Sequence, residues 1–346
     1  MEKPYYIEEL IRKEILKRKK TFKGSESEFE EFVNKKLPDI FTNVSKGAME
    51  TTYQYCLSDK SDLKKQESDI TKKISKNYGF GIKLFEAFIE LNSKISSMTY
   101  RKYYRVFKEL DDQIKLDTLI AIHVRACQVS NEVKTLVVNG YADGADARWR
   151  TIHELCITFL YLYDSDYETI RMYNDYEIIQ TWKKANDYKE NCERLDLEPL
   201  EAGEWEFLKE QKDNLVAKYG KEYSESYGWT MKDLPKGRRN IRELEKLVNK
   251  DYLRNIYAWA SENVHAGVTG IKTKLSLRDH EQHNFLLGPN DCGFLDPVQY
   301  TSYSLSEMSI VLLDMEDSLM NKIFEELLYF FQNELVKEFD RVEKLN

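Results

Sequence analysis

The sequence has little of what marks several large classes of protein. Its 346 residues include only 14 Gly and 6 Pro. These low counts argue against an all-β chain, a collagen and an enzyme built on a Gly-rich nucleotide loop. No stretch approaches the roughly 20 consecutive apolar residues that a membrane-spanning helix needs, so an integral membrane protein is not expected.

Cysteine is also scarce. The 5 Cys are odd in number and widely spaced, and no C-x-x-C occurs. A disulfide framework and a structural zinc site are therefore not expected. The first 20 residues lack the apolar segment of a secretory signal, which favours a reducing cytoplasm as the compartment.

Several signatures of enzymes are absent too. The sequence holds no G-x-S-x-G, no Walker A loop, no H-E-x-x-H and no dinucleotide-binding fingerprint. His280 and His283 have a spacing that could bind a metal ion, but their segment is polar, which favours a solvated surface. We expect neither a metal nor a cofactor.

Positive charge is in the minority. The chain has 52 Lys and Arg against 60 Asp and Glu, a net charge of −8, which disfavours a protein that coats nucleic acid. Residues 232–254 form a local exception that is rich in basic side chains. A solvated helix face explains this stretch most simply. Arg238, Arg239 and Arg254 remain candidates for contacts with an anionic substrate.

What the sequence has in quantity is helical periodicity. Hydrophobic residues make up 42% of the chain, enough for a core, and they recur at helical spacing almost throughout. This pattern predicts an all-α, multi-helix bundle of ten or so helices, with long helices at both termini. The polar stretch 57–77 is a candidate boundary region. We expect an N-terminal helical region over 1–95 and a helical core domain over 96–346.

The helix after Asn139-Gly140 combines a wide apolar stripe with charged residues. Arg148, Arg150, His153 and Glu154 lie in a segment that is apolar over most of its circumference. Charges in a buried helix must be paired or put to use. On a helical wheel Arg150 lies within about 60° of His153 and Glu154, whereas Arg148 and His153 are about 140° apart.

A second polar group lies in the predicted helix from Asp251 to His265. Ser261 and His265 are four residues apart, so they can hydrogen-bond each other or one shared partner. Ile256 and Trp259 are predicted to face the interior.

These segments carry a resemblance to a known family. The stretches GADARWRTIHELCITFLYL, Tyr227-Gly228-Trp229 and WASENVHAG resemble the bacterial domain of unknown function 5677 over roughly residues 110–320. The family pattern has an Arg-x-x-x-Glu helix, a downstream Trp and a Ser-x-x-x-His near a helix end. Arg150 and Glu154, Trp229, and Ser261 and His265 match it. This resemblance implies no particular activity.

A second resemblance does imply chemistry. Arg148-x4-His153 is similar to the Arg-x(4–6)-His signature of HEPN ribonucleases, which are all-α and usually dimeric. In that family His and Arg act on the RNA 2′-hydroxyl and the scissile phosphate without a metal ion. This sequence departs from the pattern at Trp149, where the family favours a polar residue.

Two functions follow as hypotheses. The first is an effector enzyme of the phage-defence or toxin type that acts on RNA or a nucleotide without a metal ion. The polar residues of both helices would line one pocket, and Trp229 would be either a base-stacking platform or, more simply, a packing anchor. The candidate catalytic residues are Arg148, Arg150, His153, Glu154, Ser261 and His265.

The alternative is a non-catalytic helical protein-interaction or sensor module. Arg150–Glu154 would then be an intrahelical salt bridge, Ser261 a hydroxyl bonded within its helix, and His265 a residue favoured at a helix C-terminus. Long helices and 23 Tyr suit a protein surface that binds a protein partner, and a homo-oligomer is expected under either hypothesis.

Overall fold

The computed structural model describes residues 5–58, 62–265, 267–282 and 284–345. That part of the chain forms thirteen α-helices, joined by turns and short 3-10 segments, and contains no strand. The predicted all-α, multi-helix bundle is confirmed. Within the same ranges, no helix combines the length and apolar character needed to cross a membrane. The helices are α1 (Tyr5–Lys19), α2 (Glu26–Lys35), α3 (Leu37–Leu57), α4 (Asp62–Val106), α5 (Leu110–Val138), α6 (Ala142–Asp164), α7 (Tyr167–Asn191), α8 (Glu204–Tyr219), α9 (Ile241–Leu247), α10 (Arg254–Glu262), α11 (Val268–Lys272), α12 (Leu295–Leu313) and α13 (Leu319–Glu343).

The chain divides into two compact units, Met1–Asp69 and Ile70–Asn346. This division falls inside α4 and inside the polar stretch 57–77. The domain division predicted at residues 95 and 96 also falls within α4, which continues without a break through these positions.

In the first unit, α1 and α2 pack against α3. The start of α2 shows how the sequence forms these elements locally. The Ser25 hydroxyl accepts from the backbone N–H of Glu28, and the Glu28 carboxylate accepts from the backbone N–H of Ser25 at 2.7 Å. Ser25-x-x-Glu28 and Ser27-x-x-Glu30 both fit the capping-box pattern in the sequence, and the first of them forms.

In the second unit, α5, α6 and α12 pack against one another around one hydrophobic core. The apolar stripe predicted on α6 is buried, and the indole N–H of the fully buried Trp149 donates to the Ser304 hydroxyl on α12 at 3.2 Å. Asn139 and Gly140, residue types that tolerate a left-handed C-cap, follow the end of α5, with Gly140 at a φ of 85°. The α9 and α10 helices also pack against α6.

Two helix ends differ from the prediction. Asp296-Pro297 fits an N-cap followed by Pro at the first helical position, but the α12 helix begins at Leu295 with Phe294 as its N-cap, so Asp296 lies inside the first turn. The α10 helix ends at Glu262 rather than at His265. A Cβ on Gly270 would lie 2.1 Å from the carbonyl oxygen of Glu262, so the chain folds back tightly over the end of α10. A longer helix would occupy that space.

Candidate functional site

The charged residues of α6 lie along its contact with α10. Asp146, Arg150 and Glu154 are four residues apart, so they form one row on the surface of α6. Tyr257 on α10 is buried against this row and contacts it through its hydroxyl group. The packing of the two helices therefore creates a polar seam inside an otherwise apolar region.

Arg150, Glu154 and Tyr257 form a closed triangle of hydrogen bonds. The Arg150 Nε donates to Glu154 Oε1 at 3.0 Å and to the Tyr257 hydroxyl at 2.8 Å. The Tyr257 hydroxyl donates to Glu154 Oε1 at 2.5 Å. Burial, reinforced by the hydrogen bond to Glu154, raises the pKa of Tyr257 to about 12. The phenol therefore keeps its proton at neutral pH and acts as a donor to the carboxylate.

His265 lies beside this triangle, just beyond the end of α10. Its Nε2 is 3.5 Å from Nη1 of Arg150, and the imidazole is exposed to solvent. The Arg150 side chain is 23% exposed and that of Glu154 36%, so water reaches both. We call Arg150, Glu154, Tyr257 and His265 the Arg150 cluster. The structure thus brings together three of the predicted catalytic residues from two distant segments.

Ser261 does not join this cluster through its hydroxyl group. The Ser261 Oγ donates to the carbonyl oxygen of Tyr257 within α10 at 2.7 Å. Its hydroxyl hydrogen is therefore used inside the helix, in the way that Ser commonly bonds the carbonyl four residues earlier. The contact between Ser261 and His265 is made by the backbone, where the His265 N–H donates to the Ser261 carbonyl at 3.2 Å.

His153 belongs to a separate, buried group. Its Nε2 is 3.0 Å from Glu245 Oε1, and the two side chains are only 1% and 0% exposed. Arg254 approaches the same carboxylate, with Nη1 3.2 Å from each of its oxygens. We call His153 and Glu245 the His153 pair. It has two features of a buried polar contact that supports packing: exclusion from water and a carboxylate shared with Arg254.

Arg148 points to a different helix. Its Nη2 lies 2.6 Å from Glu132 Oε2 on α5. Arg148 and His153 therefore have separate partners, in agreement with the wide angle between them on the helical wheel.

The three arginines predicted to contact a substrate differ in their exposure to solvent. Arg238 is exposed. Arg239 is buried, and it donates to the carbonyl oxygen of Leu234 at 3.0 Å and to the carboxylate of Glu222. Arg254 is 33% exposed and pairs with Glu245. Only Arg238 and Arg254 present part of a guanidinium to solvent.

Trp229 is a buried packing residue. It is 5% exposed, and its ring centroid lies 5.5 Å from that of Tyr161 and 4.9 Å from that of Tyr173. The preceding Gly228 is packed so closely that a Cβ there would lie 2.0 Å from the carbonyl oxygen of Tyr223. Because glycine has no Cβ, the chain can pass this close to Tyr223 and place the indole among the tyrosines.

A cavity of about 680 Å³ opens further along the contact between α6 and α10. Its wall includes Asp146 and Asp296 together with Trp259 and Tyr300, but no residue of the Arg150 cluster. Trp259 is 61% exposed at this cavity, so the prediction that it faces the interior is wrong. The buried side of α10 carries Tyr257 and Ala260 instead, because the helix is rotated relative to the predicted stripe.

Asp146 is the most unusual ionisable residue of the cavity wall. It is 4% exposed, and Asn263 donates to its Oδ2 at 3.3 Å. Burial, with smaller contributions from the charges of Asp296 and Asp143, raises the pKa of Asp146 to about 7. This carboxyl group therefore changes protonation state near neutral pH, which is unusual for an aspartate.

Sequence reasoning missed three residues of these sites: Tyr257, Glu245 and Asp146. Asp146 had a usable signal, because it lies four residues before Arg150 and continues the row towards the start of α6. Glu245 had none, since it lies in a charged helix and reaches His153 only through tertiary packing. Among the described residues, no group of three or more His, Cys, Asp or Glu is arranged to hold a metal ion. His280 is exposed, and His283 lies outside the described residues.

Residues 116–284 match the profile of a protein family described as a family of unknown function, DUF5677. The match is narrower than the span of roughly 110–320 expected from the sequence. It contains Arg150, Glu154, Trp229, Ser261 and His265, and it lends no support to a HEPN resemblance. Comparisons with curated proteins and with solved structures gave no significant match.

Proposed function

We propose that the Arg150 cluster is a metal-independent acid–base site that acts on RNA or a nucleotide. The observation that carries this proposal is the approach of Arg150 Nη1 to His265 Nε2, at 3.5 Å, where both groups reach solvent. A guanidinium can offset the charge that develops on a phosphate, and an imidazole can move a proton near neutral pH. Their proximity supplies both functions at one point.

The remaining residues of the cluster hold Arg150 in place. Glu154 and Tyr257 both bond its Nε, which leaves the far side of the guanidinium directed towards His265 and solvent. Arg254 lies over the ring of Tyr257 as well, with its Cζ 4.8 Å from the centroid, compared with 5.1 Å for Arg150. Two guanidinium groups near one ring would favour an anionic substrate.

With RNA as substrate, the proposed step is an internal transfer. His265 takes the proton of a 2′-hydroxyl group, whose oxygen attacks the neighbouring phosphorus. The bond to the 5′ oxygen breaks, and that oxygen receives a proton from the imidazolium or from water. Arg150 stabilises the negative charge on the non-bridging phosphate oxygens during the transfer.

The test is incubation of the purified chain with total RNA and with a defined single-stranded RNA, in the presence of EDTA. We expect cleavage products that end in a 2′,3′-cyclic phosphate. His265→Ala and Arg150→Ala should each reduce the rate by at least about 100-fold, the usual size of a general acid–base or electrostatic contribution.

The matched control is His280→Ala, which removes another exposed histidine and should leave the rate unchanged. No cleavage at high protein concentration, or cleavage that His265→Ala and Arg150→Ala leave intact, would contradict the proposal. Melting curves of each variant separate a lost group from a lost fold.

A second candidate function is a non-catalytic protein-interaction or sensor module, and the surface of α13 favours it. Leu319, Ile323 and Phe330 are 78%, 54% and 66% exposed, and their spacing places them near one side of the helix. Neighbouring exposed apolar side chains are typical of surfaces that bind proteins or a second copy of the chain. Phe330→Glu should then shift the oligomeric state measured by light scattering, with no effect on RNA.

A further inference from the structure

The cavity beside Asp146 is separate from the Arg150 cluster and has its own chemistry. Its volume of about 680 Å³ is large enough for a small organic molecule. Negative charge dominates the wall, which includes the carboxyl groups of Asp143, Asp146, Glu262, Asp296 and Glu343, and these outnumber its two basic residues. We call it the carboxylate cavity.

Two of these carboxylates are already engaged by the protein backbone. Asp143 accepts from the N–H groups of Leu275 and Ser276, at 2.9 Å and 3.4 Å. Glu343 accepts from the N–H of Leu295 at 2.9 Å. They hold the cavity wall together, and their hydrogen-bonding capacity is largely used by the fold.

Asp146 is different because one of its oxygens accepts no hydrogen bond within the part of the chain that the structure describes. The Asp146 residue is only 4% exposed, and it lines the cavity. Oδ2 accepts the bond from Asn263, whereas Oδ1 accepts none from the described residues. Because Asp146 lines the cavity and Oδ1 is not shut away from it, this oxygen is available to accept a hydrogen bond from a bound molecule.

The basic residues of the wall do not supply that donor. Arg278 bonds Asp291 at 3.1 Å and lies 3.6 Å from Glu281. Lys274 donates to the carbonyl oxygen of Gly270. Both positive charges are therefore directed away from Asp146, and the cavity keeps an excess of negative charge.

The aromatic part of the wall adds a second feature. Trp259 is 61% exposed although it lines the cavity, and Tyr300 is half-buried on the other helix of the wall. The electron-rich face of an indole attracts an organic cation. A carboxylate and an aromatic face in one cavity are a common arrangement for binding an ammonium or guanidinium group.

We propose that the carboxylate cavity binds a small organic cation whose ammonium or guanidinium group donates to Asp146 and packs against Trp259. A bare divalent metal ion fits less well, because the described carboxylates are not grouped as metal ligands. A phosphate or another anion is disfavoured by the charge of the wall. The site stands independently of the activity proposed for the Arg150 cluster.

Binding should be linked to pH. Asp143 on its own helix and Asp296 on α12 place negative charge near Asp146, and the titratable Tyr300 on α12 also interacts with it. Glu262 at the end of α10 and Glu343 on α13 line the same cavity. Because burial and the charges of Asp296 and Asp143 raise the pKa of Asp146, the empty site holds a proton below neutral pH. The cation must displace that proton, so its affinity should rise about tenfold between pH 6 and pH 8.

The experiment is calorimetric titration of the full chain with agmatine, which carries both an ammonium and a guanidinium group. We expect binding at pH 8, weaker binding at pH 6, and a heat that varies with the buffer because a proton is released. Asp146→Asn should weaken binding at least tenfold at pH 8 and remove the pH dependence, whereas Trp259→Ala should weaken it severalfold.

The matched control is Asp317→Asn, which removes an exposed carboxylate far along the sequence and should bind agmatine as the unchanged chain does. Mg²⁺ alone serves as a second ligand. The proposal fails if agmatine gives no heat at millimolar concentration, if Asp146→Asn binds equally well, or if Mg²⁺ binds at the same site as tightly as agmatine. Trp259→Ala keeps the test valid should Asp146→Asn not fold, because Trp259 is exposed.

Discussion

Arg150 and His153 are three residues apart on α6, and each is bonded to a glutamate, but they differ in their access to water. The Arg150 cluster lies at the edge of the contact with α10, where its carboxylate is 36% exposed. The His153 pair lies inside, at 1% and 0% exposure. A charge near water keeps its freedom to bind a ligand, whereas a fully buried pair is committed to its partner.

The largest expected effect tests this difference directly. Glu245→Ala leaves His153 and Arg254 without their shared carboxylate inside the protein. The free energy of unfolding should fall by about 3–5 kcal/mol, the usual result of breaking a buried ion pair, and urea denaturation measures it. Glu154→Ala should lower stability much less, because water can solvate Arg150. Equal losses in the two variants would show that the two groups do not differ.

Asp146 extends the comparison to a third residue of the same helix, one that is buried but poorly paired. Its pKa is raised to about 7, so the folded chain holds a proton that the unfolded chain loses near pH 4. The stability that this proton provides is fully present below the unfolded pKa and is lost as pH rises through the folded pKa.

Between pH 5 and pH 8 the free energy of unfolding should therefore fall by roughly 2–3 kcal/mol on account of this one group. Denaturation at a series of pH values measures the slope. In Asp146→Asn the fall should be smaller by that amount, since the amide does not titrate. An unchanged slope in the variant would mean that Asp146 titrates normally.

The smallest effect concerns the hydroxyl group that ties α10 to the Arg150 cluster. Tyr257→Phe keeps the ring beneath both guanidinium groups but removes the bonds to Glu154 and Arg150. Stability should fall by about 1–2 kcal/mol, as expected for hydrogen bonds that involve charged groups, and thermal melting measures it. Tyr329→Phe, at an exposed position, is the matched control. A loss of stability as large as that of Glu245→Ala would show that Tyr257 stabilises the fold as strongly as the His153 pair does.

Much of the site region was predictable where the pattern lies within one helix. The buried stripe of α6 and the Arg150–Glu154 contact follow from side chains that repeat every three or four residues. The orientation of α10 was not predictable in this way. Trp259 and Tyr257 are both aromatic and two residues apart, and the choice of which one faces inward depends on the packing surface that α6 presents.

The local sequence by itself determined that this chain is helical and that α6 is buried with charges in it, because helix formation and amphipathic burial depend on the order of neighbouring residues. Tertiary structure alone decided which partner each of those charged residues has and how far it is exposed to solvent. Glu245 comes from α9, Tyr257 and His265 from α10 and the turn after it, and Asp296 from α12. Each sets the exposure and pairing of an α6 residue across a distance in sequence that no local pattern records, since solvation and partner identity are properties of the assembled interior.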